Sequence, residues 1–296
     1  MKRLSIADVR IGIDYLSRDF FDRRFAKYED NSDTEPDLTI STHLKKEIDI
    51  PPGKIVEQIG YTTVIQVDYN IFCRYTWGKT GRIQNATFFN DSHTHVDIHL
   101  ANPGKASGFT LTEYEYLLTG LAFNDRLAKL GGAVLHGSAI AYAGQGIIFS
   151  ANSGVGKSTH TRLWMQRFGS KAVIINDDKP AIRFYDCKPC IFGTPWSGKT
   201  DLSTNTRAPL KAIVFIKRAE INRIECLSPR ESIVLLSGQI WRPYYDNDIC
   251  LMVMDFIDKL VRSVPIFRLH CNISQDAVST VFDRLSKDEA GGLCAL

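Results

Sequence analysis

Ser150-Ala151-Asn152-Ser153-Gly154-Val155-Gly156-Lys157-Ser158-Thr159 restricts this chain more than any other segment. It follows the apolar run GIIFS and precedes a helical pattern, so it reads as a strand–loop–helix unit. Gly154 and Gly156 let the backbone bend and bring its N–H groups against phosphate oxygens, and the helix start at Ser158 adds its dipole. Lys157 can reach β- and γ-phosphates, and the Ser158 hydroxyl can ligate Mg²⁺. Ser153, Gly154, Val155, Gly156, Lys157, Ser158 and Thr159 are therefore the candidate nucleotide-binding set. The G-x-x-x-x-G-K-[ST] pattern has Gly where this chain has Ala151, and a Cβ there is tolerated only at negative φ. The plain alternative is a Gly/Ser-rich turn with a chance lysine.

Downstream, the apolar run Ile174-Ile175 leads into Asn176-Asp177-Asp178. Paired acids at a strand end suit two tasks: one holds Mg²⁺, and the other accepts a proton from an attacking hydroxyl. Alone, such a pair reads as a solvated turn; beside the loop it reads as functional. Upstream, His136 in Leu135-His136-Gly137-Ser138-Ala139 sits on a strand one hairpin before the loop. It is either a satisfied strand histidine or a residue close to the metal or the chemistry.

Organisation follows texture. Residues 54–100 are rich in Val, Ile, Thr, Tyr and Phe, with turns near Gly60, Gly78–Gly81 and Asn90–Asp91, so the N-terminal third is expected to be antiparallel β. Residues 16–54 read as loops and short strands. Residues 101–108 read as a linker, followed by a helix with a possible Thr112/Glu115 capping box that stops before Gly131-Gly132. Beyond it strands and helices alternate, with helices expected at 158–168, 229–236, 248–264 and 275–285. Three segments result: a β-rich domain at 1–105, an α/β domain at 106–286 and a loose tail at 287–296.

Composition sets bounds. A chain of 296 residues, 44% hydrophobic and 23% charged, is an ordinary globular chain rather than a disordered or disulfide-scaffold one. Net charge is +3, too little to argue for a nucleic-acid partner. The first 100 residues hold 13 basic and 15 acidic side chains, and the remainder is mildly positive, which suits a polyanionic small ligand. No run approaches the ~18 apolar residues of a membrane span, and the N-terminus is not a secretory signal. Seven irregularly spaced cysteines read as reduced thiols, hence a cytoplasmic protein.

The order His136-Gly137-Ser138-Ala139, then Ser153–Ser158, then Asp177-Asp178 resembles HPr kinase/phosphorylase and the wider phosphoenolpyruvate carboxykinase superfamily. The resemblance covers roughly residues 130–200, extends to about 285, and implies a mixed-sheet P-loop domain; residues 1–105, read from their texture as a smaller β-rich domain before it, match no named family. It implies ATP and Mg²⁺ as cofactors: Lys157 and Ser158 on phosphates and metal, Asp178 on the metal, Asp177 as base, and His136 near the transferred group. HPr kinases carry an acidic, Gly-rich signature after the double Asp. Here Phe192-Gly193-Thr194-Pro195-Trp196-Ser197-Gly198-Lys199 holds no acid and is similar to the HPr-kinase-like peptide-tailoring kinases, such as lasso-peptide kinases that phosphorylate a serine. Trp196, Lys199 and Arg242 are candidate substrate residues, with Arg207 and Lys217 as further cations.

The expected activity is transfer of the γ-phosphoryl group to a serine-type hydroxyl of a peptide or protein, with the β-rich part as an acceptor-binding module. A kinase for free serine or a similar metabolite, and an ATP-binding switch without phosphotransfer, are the rivals. Expected partners are a nucleotide and a hydroxylated acceptor, with no nucleic acid and no membrane; self-association into a homo-oligomer stays open. Two weaker constellations read as structural. Cys187-Lys188-Pro189-Cys190 lacks a second pair and fits a hairpin turn. His93, His95, Asp97 and His99 would share one strand face, but neighbours there lie ~6.5–7 Å apart, which suits a solvated face better than a metal site.

Overall fold

The computed structural model describes residues 1–79, 81–102 and 108–291. These form two compact units: Met1–Leu130 with Arg242–Cys250, and Gly131–Trp241 with Leu251 onwards.

The first unit is a mixed eight-stranded sheet. A hairpin of β1 (Lys2–Ile6) and β2 (Val9–Asp14) leads through helix α1 (Arg18–Phe25) to β3 (Leu38–Lys45). An antiparallel run follows: β4 (Lys54–Ile59), β5 (Thr62–Asp68), β6 (Ile71–Trp77), β7 (Ile83–Asn90) and β8 (His95–Ala101). β3 closes the order β1-β2-β3-β8-β7-β6-β5-β4 by pairing parallel to β2 and β8. The expected turns at Gly60, Gly78–Gly81 and Asn90–Asp91 join β4–β5, β6–β7 and β7–β8. Of the linker read at 101–108, residues 103–107 lie outside the described residues.

Helix α2 (Leu111–Lys129) packs on β3 and β8 and belongs to this first unit, so the break between units falls after Leu130 rather than near 105. Its capping box is Thr110 with Glu113, not Thr112 with Glu115. Both pairs fit S/T-x-x-E, but Glu115 is taken by a tertiary task. Its buried carboxylate accepts the amides of Leu16 and Ser17, at 2.6 and 2.9 Å, and so holds the chain entering α1.

The second unit carries the strand order β12-β10-β11-β15-β14-β13-β9. Its members are β9 (Ala133–Val134), β10 (Gly137–Tyr142), β11 (Gln145–Ser150), β12 (Ala172–Asn176), β13 (Ala181–Tyr185), β14 (Lys188–Phe192) and β15 (Arg207–Arg218), with β16 (Arg223–Cys226) and β17 (Ile266–Cys271) beyond β15. Its helices are α3 (Lys157–Phe168), α4 (Pro229–Ser237), α5 (Asn247–Ser263), whose first turn counts with the first unit, and α6 (Gln275–Gly291). β11, β15 and β17 run parallel, and β10 is antiparallel to both β11 and β12. Phe149, Trp164, Val214, Phe267, Val278 and Val281 form the core that locks α3 and α6 onto β11, β15 and β17. Burying such side chains is worth about 1.5–3 kcal/mol each. Ser228 with Glu231 caps α4, and Pro229 opens it. The tail expected from 287 continues α6 to Gly291, because Ser-Lys-Asp-Glu-Ala holds no helix breaker; residues 292–296 lie outside the described residues. Cys73, Cys187, Cys190, Cys250 and Cys271 are free thiols, and Cys294 lies outside the described residues.

Candidate functional site

The 150–159 segment leaves the sheet at the end of β11 and enters α3 at Lys157. Gly154 and Gly156 take φ of +78° and +128°, and a Cβ at either would meet nothing within 4 Å. The backbone, not crowding, therefore selects glycine there. Ala151 is absent from the positive-φ residues, which is the condition its Cβ requires. Lys157 is buried and folds into the loop, its Nζ donating to the carbonyls of Ala151 at 2.9 Å and Asn152 at 3.4 Å. Burial pulls its ammonium below the ordinary lysine value, while the carboxylates of Asp178 and Asp177 act the other way. Ser158 and Thr159 are partly exposed at the first turn. Arg218, at the end of β15, donates to the carbonyls of Val155 at 3.0 Å and Gly154, fixing the outer side of the loop.

The twin acids follow β12. The buried Asn176 shapes their turn: its Oδ1 accepts the amides of Asp178 and Lys179 at 2.9 and 2.6 Å, and its Nδ2 donates to Thr194 O at 2.8 Å. Asp177 is 5% exposed, and both its oxygens are taken by alcohols. Ser138 Oγ donates to Oδ1 and Thr200 Oγ1 donates to Oδ2, each at 2.7 Å. Ser138 also lies 3.0 Å from Thr161 of α3, which ties the acid to the helix that follows the loop. Asp178 Oδ1 is 3.5 Å from His136 Nε2. His136 Nδ1 is 2.9 Å from Gln239 Oε1, and Gln239 Nε2 is 3.0 Å from Asn152 Oδ1. Loop, histidine and acids are thus one connected set. Burial, and then the nearby Lys157 charge, lower the His136 pKa.

The Gly193–Thr200 segment lies against the acids. A Cβ at Gly193 would stand 1.9 Å from Thr204 O and 2.7 Å from Ile175 O, and one at Gly198 would stand 3.0 Å from Asp178 Cβ. Glycine at both positions permits backbone to pass that close. Trp196 is 2% exposed and packs inside, so its ring offers no open stacking platform. Lys199 is exposed on the turn. Arg242 belongs to the first unit, with its guanidinium 5.5 Å from the Tyr244 ring. Arg207 sits over Tyr185. Ser138, Thr200, Asn176, Gln239 and Arg218 were not singled out by sequence. Ser138 and Asn176 stood inside the quoted motifs, and the others had no local signal.

Two cavities of about 520 and 550 Å³ flank the loop. The first lies at the carboxyl ends of β15 and β17 and is lined by Val155, Thr159, Leu163, Ile216, Glu220 and Ile273, among others. The second is lined by Asn152, Ser153, Gly154, Lys217, Gln239 and Arg268, among others. Open α/β sheets commonly bind ligands outside the carboxyl ends of parallel strands.

The other constellations are structural. Asp186 and Cys187 form the β13–β14 turn at φ of 47° and 63°. His93 lies in the turn before β8, buried and stacked on Phe89, so it does not share a face with His95, Asp97 and His99. Among the described residues, no group of three or more His, Cys, Asp or Glu side chains could hold a metal ion by itself. No helix among the described residues is long and apolar enough to cross a membrane.

No curated protein matches the chain. Among solved structures it is similar to the Hpr(Ser) kinase/phosphatase from Coxiella burnetii, at 11% identity over 53% of this chain and 98% of that one, with a TM-score of 0.30. The family described as SynChlorMet cassette protein ScmC matches residues 120–283, more than half of the chain. The chain therefore belongs to the SynChlorMet cassette protein ScmC family.

Proposed function

We propose that this protein is an ATP- and Mg²⁺-dependent kinase that transfers the γ-phosphoryl group to a serine-type hydroxyl of a peptide or protein. One observation carries the reading. Asp177 already accepts hydrogen bonds from two alcohols at 2.7 Å, in the same unit as a lysine held inside a glycine-bearing strand–loop–helix turn. An incoming alcohol would replace one of them, and the carboxylate would take its proton as the oxygen attacks phosphorus. Backbone amides of 153–158 and the Lys157 ammonium would hold the phosphates, so the chain acts by positioning and charge rather than through a covalent intermediate. The oxygen donors present fit a hard cation that keeps phosphate and water ligands: Asp178 and Ser158 would hold Mg²⁺, which neutralises phosphate charge when bound. His136, joined to Asp178 and, through Gln239, to Asn152, would keep that acid aligned with the loop.

The first unit is proposed as the acceptor-binding module. Its edge strand β4 exposes Ile55, Val56 and Ile59, and an extended peptide can add to such an edge as a further strand. A deletion ending at 105 would leave α2 without its sheet, so a test by truncation has to respect the unit rather than the texture change.

Asp177→Asn tests the reading. It keeps the shape of the site, so ATP affinity is expected to stay within about threefold while transfer falls about 100-fold or more, the usual weight of a general base. Transfer to serine-containing peptides but not to free serine places the acceptor. An Asp177→Asn variant with unaltered function contradicts the kinase and favours a nucleotide-bound switch.

A further inference from the structure

Two alcohols share Asp177, and they differ in one respect that matters for chemistry. Ser138 is fully buried on β10, between β11 and β12, and cannot meet a phosphate without opening the sheet. Thr200 is exposed, at the end of the short 3₁₀ turn Gly198–Thr200. Its Oγ1 donates to Asp177 Oδ2 at 2.7 Å, and Ser197 O is 3.4 Å away. The turn is built for close approach: Gly198 has a φ of +72°, and a Cβ there would press on Asp178. Asp177 is also tied to the helix that follows the 150–159 loop, since Ser138, 2.7 Å from its Oδ1, lies 3.0 Å from Thr161 of α3. The hydroxyl of an exposed threonine therefore already makes, on the candidate base, the contact an acceptor alcohol has to make.

We infer that Thr200 is a phosphorylation site of this chain, modified in cis by its own nucleotide site. The inference rests on the kinase reading and names one substrate for it. In the step, Asp177 takes the proton of Thr200 Oγ1. A new bond forms between Oγ1 and the γ-phosphorus of ATP. The bond from that phosphorus to the β–γ bridging oxygen breaks, and ADP leaves with the electron pair. The products are phosphothreonine, ADP and a protonated Asp177, which returns its proton to water. Phosphothreonine has no hydroxyl hydrogen to donate to Asp177 and brings two negative charges against two carboxylates, so the modified turn moves off the base and leaves it open to an external alcohol.

The full chain is incubated with ATP and Mg²⁺ and followed by intact mass and peptide mapping, with nucleotide binding measured in parallel by calorimetry. The inference predicts one phosphoryl group per chain on Thr200, at a rate that does not change with protein concentration. Thr200→Ser keeps the modification, Thr200→Val abolishes it, and Asp177→Asn slows it about 100-fold or more. A chain that binds ATP yet gains no phosphate, or gains it at another residue, overturns the inference and leaves the nucleotide site standing. A chain that binds no ATP removes both.

Discussion

Gly193→Ala should be among the most damaging single-methyl changes in the second unit. The added Cβ would sit 1.9 Å from Thr204 O and 2.7 Å from Ile175 O, both backbone atoms that cannot rotate aside. Relieving the overlap means opening the contact between β12 and the 202–206 segment by more than an ångström. That contact holds Thr204 N to Ile175 O at 3.0 Å and Asp177 N to Leu202 O at 3.1 Å, and beside it Gly193 N donates to Thr206 O at 3.3 Å. Overpacking costs about 1–3 kcal/mol, and each of the three strained backbone bonds adds about 0.5–1.5 kcal/mol, so the total is about 2.5–7.5 kcal/mol. For a unit of this size that is a fall in Tm of roughly 5–30 °C. Gly154→Ala is the control: its Cβ meets nothing within 4 Å, and only the φ of +78° opposes it, for about 1–2 kcal/mol. Thermal and urea unfolding of both variants decides the point. If Gly193→Ala loses less than Gly154→Ala, the close approach that brings the Gly193–Thr200 segment to the acids is misdescribed.

Two further outcomes follow. Burial lowers the His160 pKa to about 4, against about 6.5 in an unfolded chain. The unfolded state then binds more protons between those values, so stability is full above about pH 6.5 and falls by roughly 3 kcal/mol towards pH 4; urea midpoints between pH 4.5 and 7 should show the slope, and His160→Gln should flatten it. Ala151→Gly restores the missing motif glycine at a position without positive φ, so ATP affinity should stay within about threefold while stability drops by about 0.5–1 kcal/mol. A tenfold tighter complex would mean that the Ala151 methyl obstructs the site.

Much of the second unit was legible because its signals are local. The apolar runs of β11, β12, β15 and β17, the glycines of the loop and the Ser228-Pro229-x-Glu231 start all act within a few residues. The first unit was legible as β-rich, yet its opening hairpin was not. Ala7 and Asp8 turn at φ of 51° and 57° without the glycine that usually marks such a turn. Helix α1 also escaped, since its start is held by Glu115, about 100 residues away. The site was half legible for the same reason. Lys157, Asp177 and Asp178 announce themselves by spacing. Gln239 and Arg218 reach their partners across 103 and 64 residues, and no periodicity encodes those meetings. The burial of Trp196 and the assignment of Arg242 to the other unit are likewise tertiary outcomes.

Calorimetric titration of the intact chain with ATP and Mg²⁺, beside Lys157→Met, tests the central claim most directly. On the proposed reading Lys157 would contribute a charge-assisted contact to phosphate worth about 1.5–3 kcal/mol, so one nucleotide should bind per chain and the variant should bind about 10- to 100-fold more weakly. No saturable heat from the intact chain, or equal affinity in the two proteins, would contradict a phosphate-gripping loop at Ser153–Thr159.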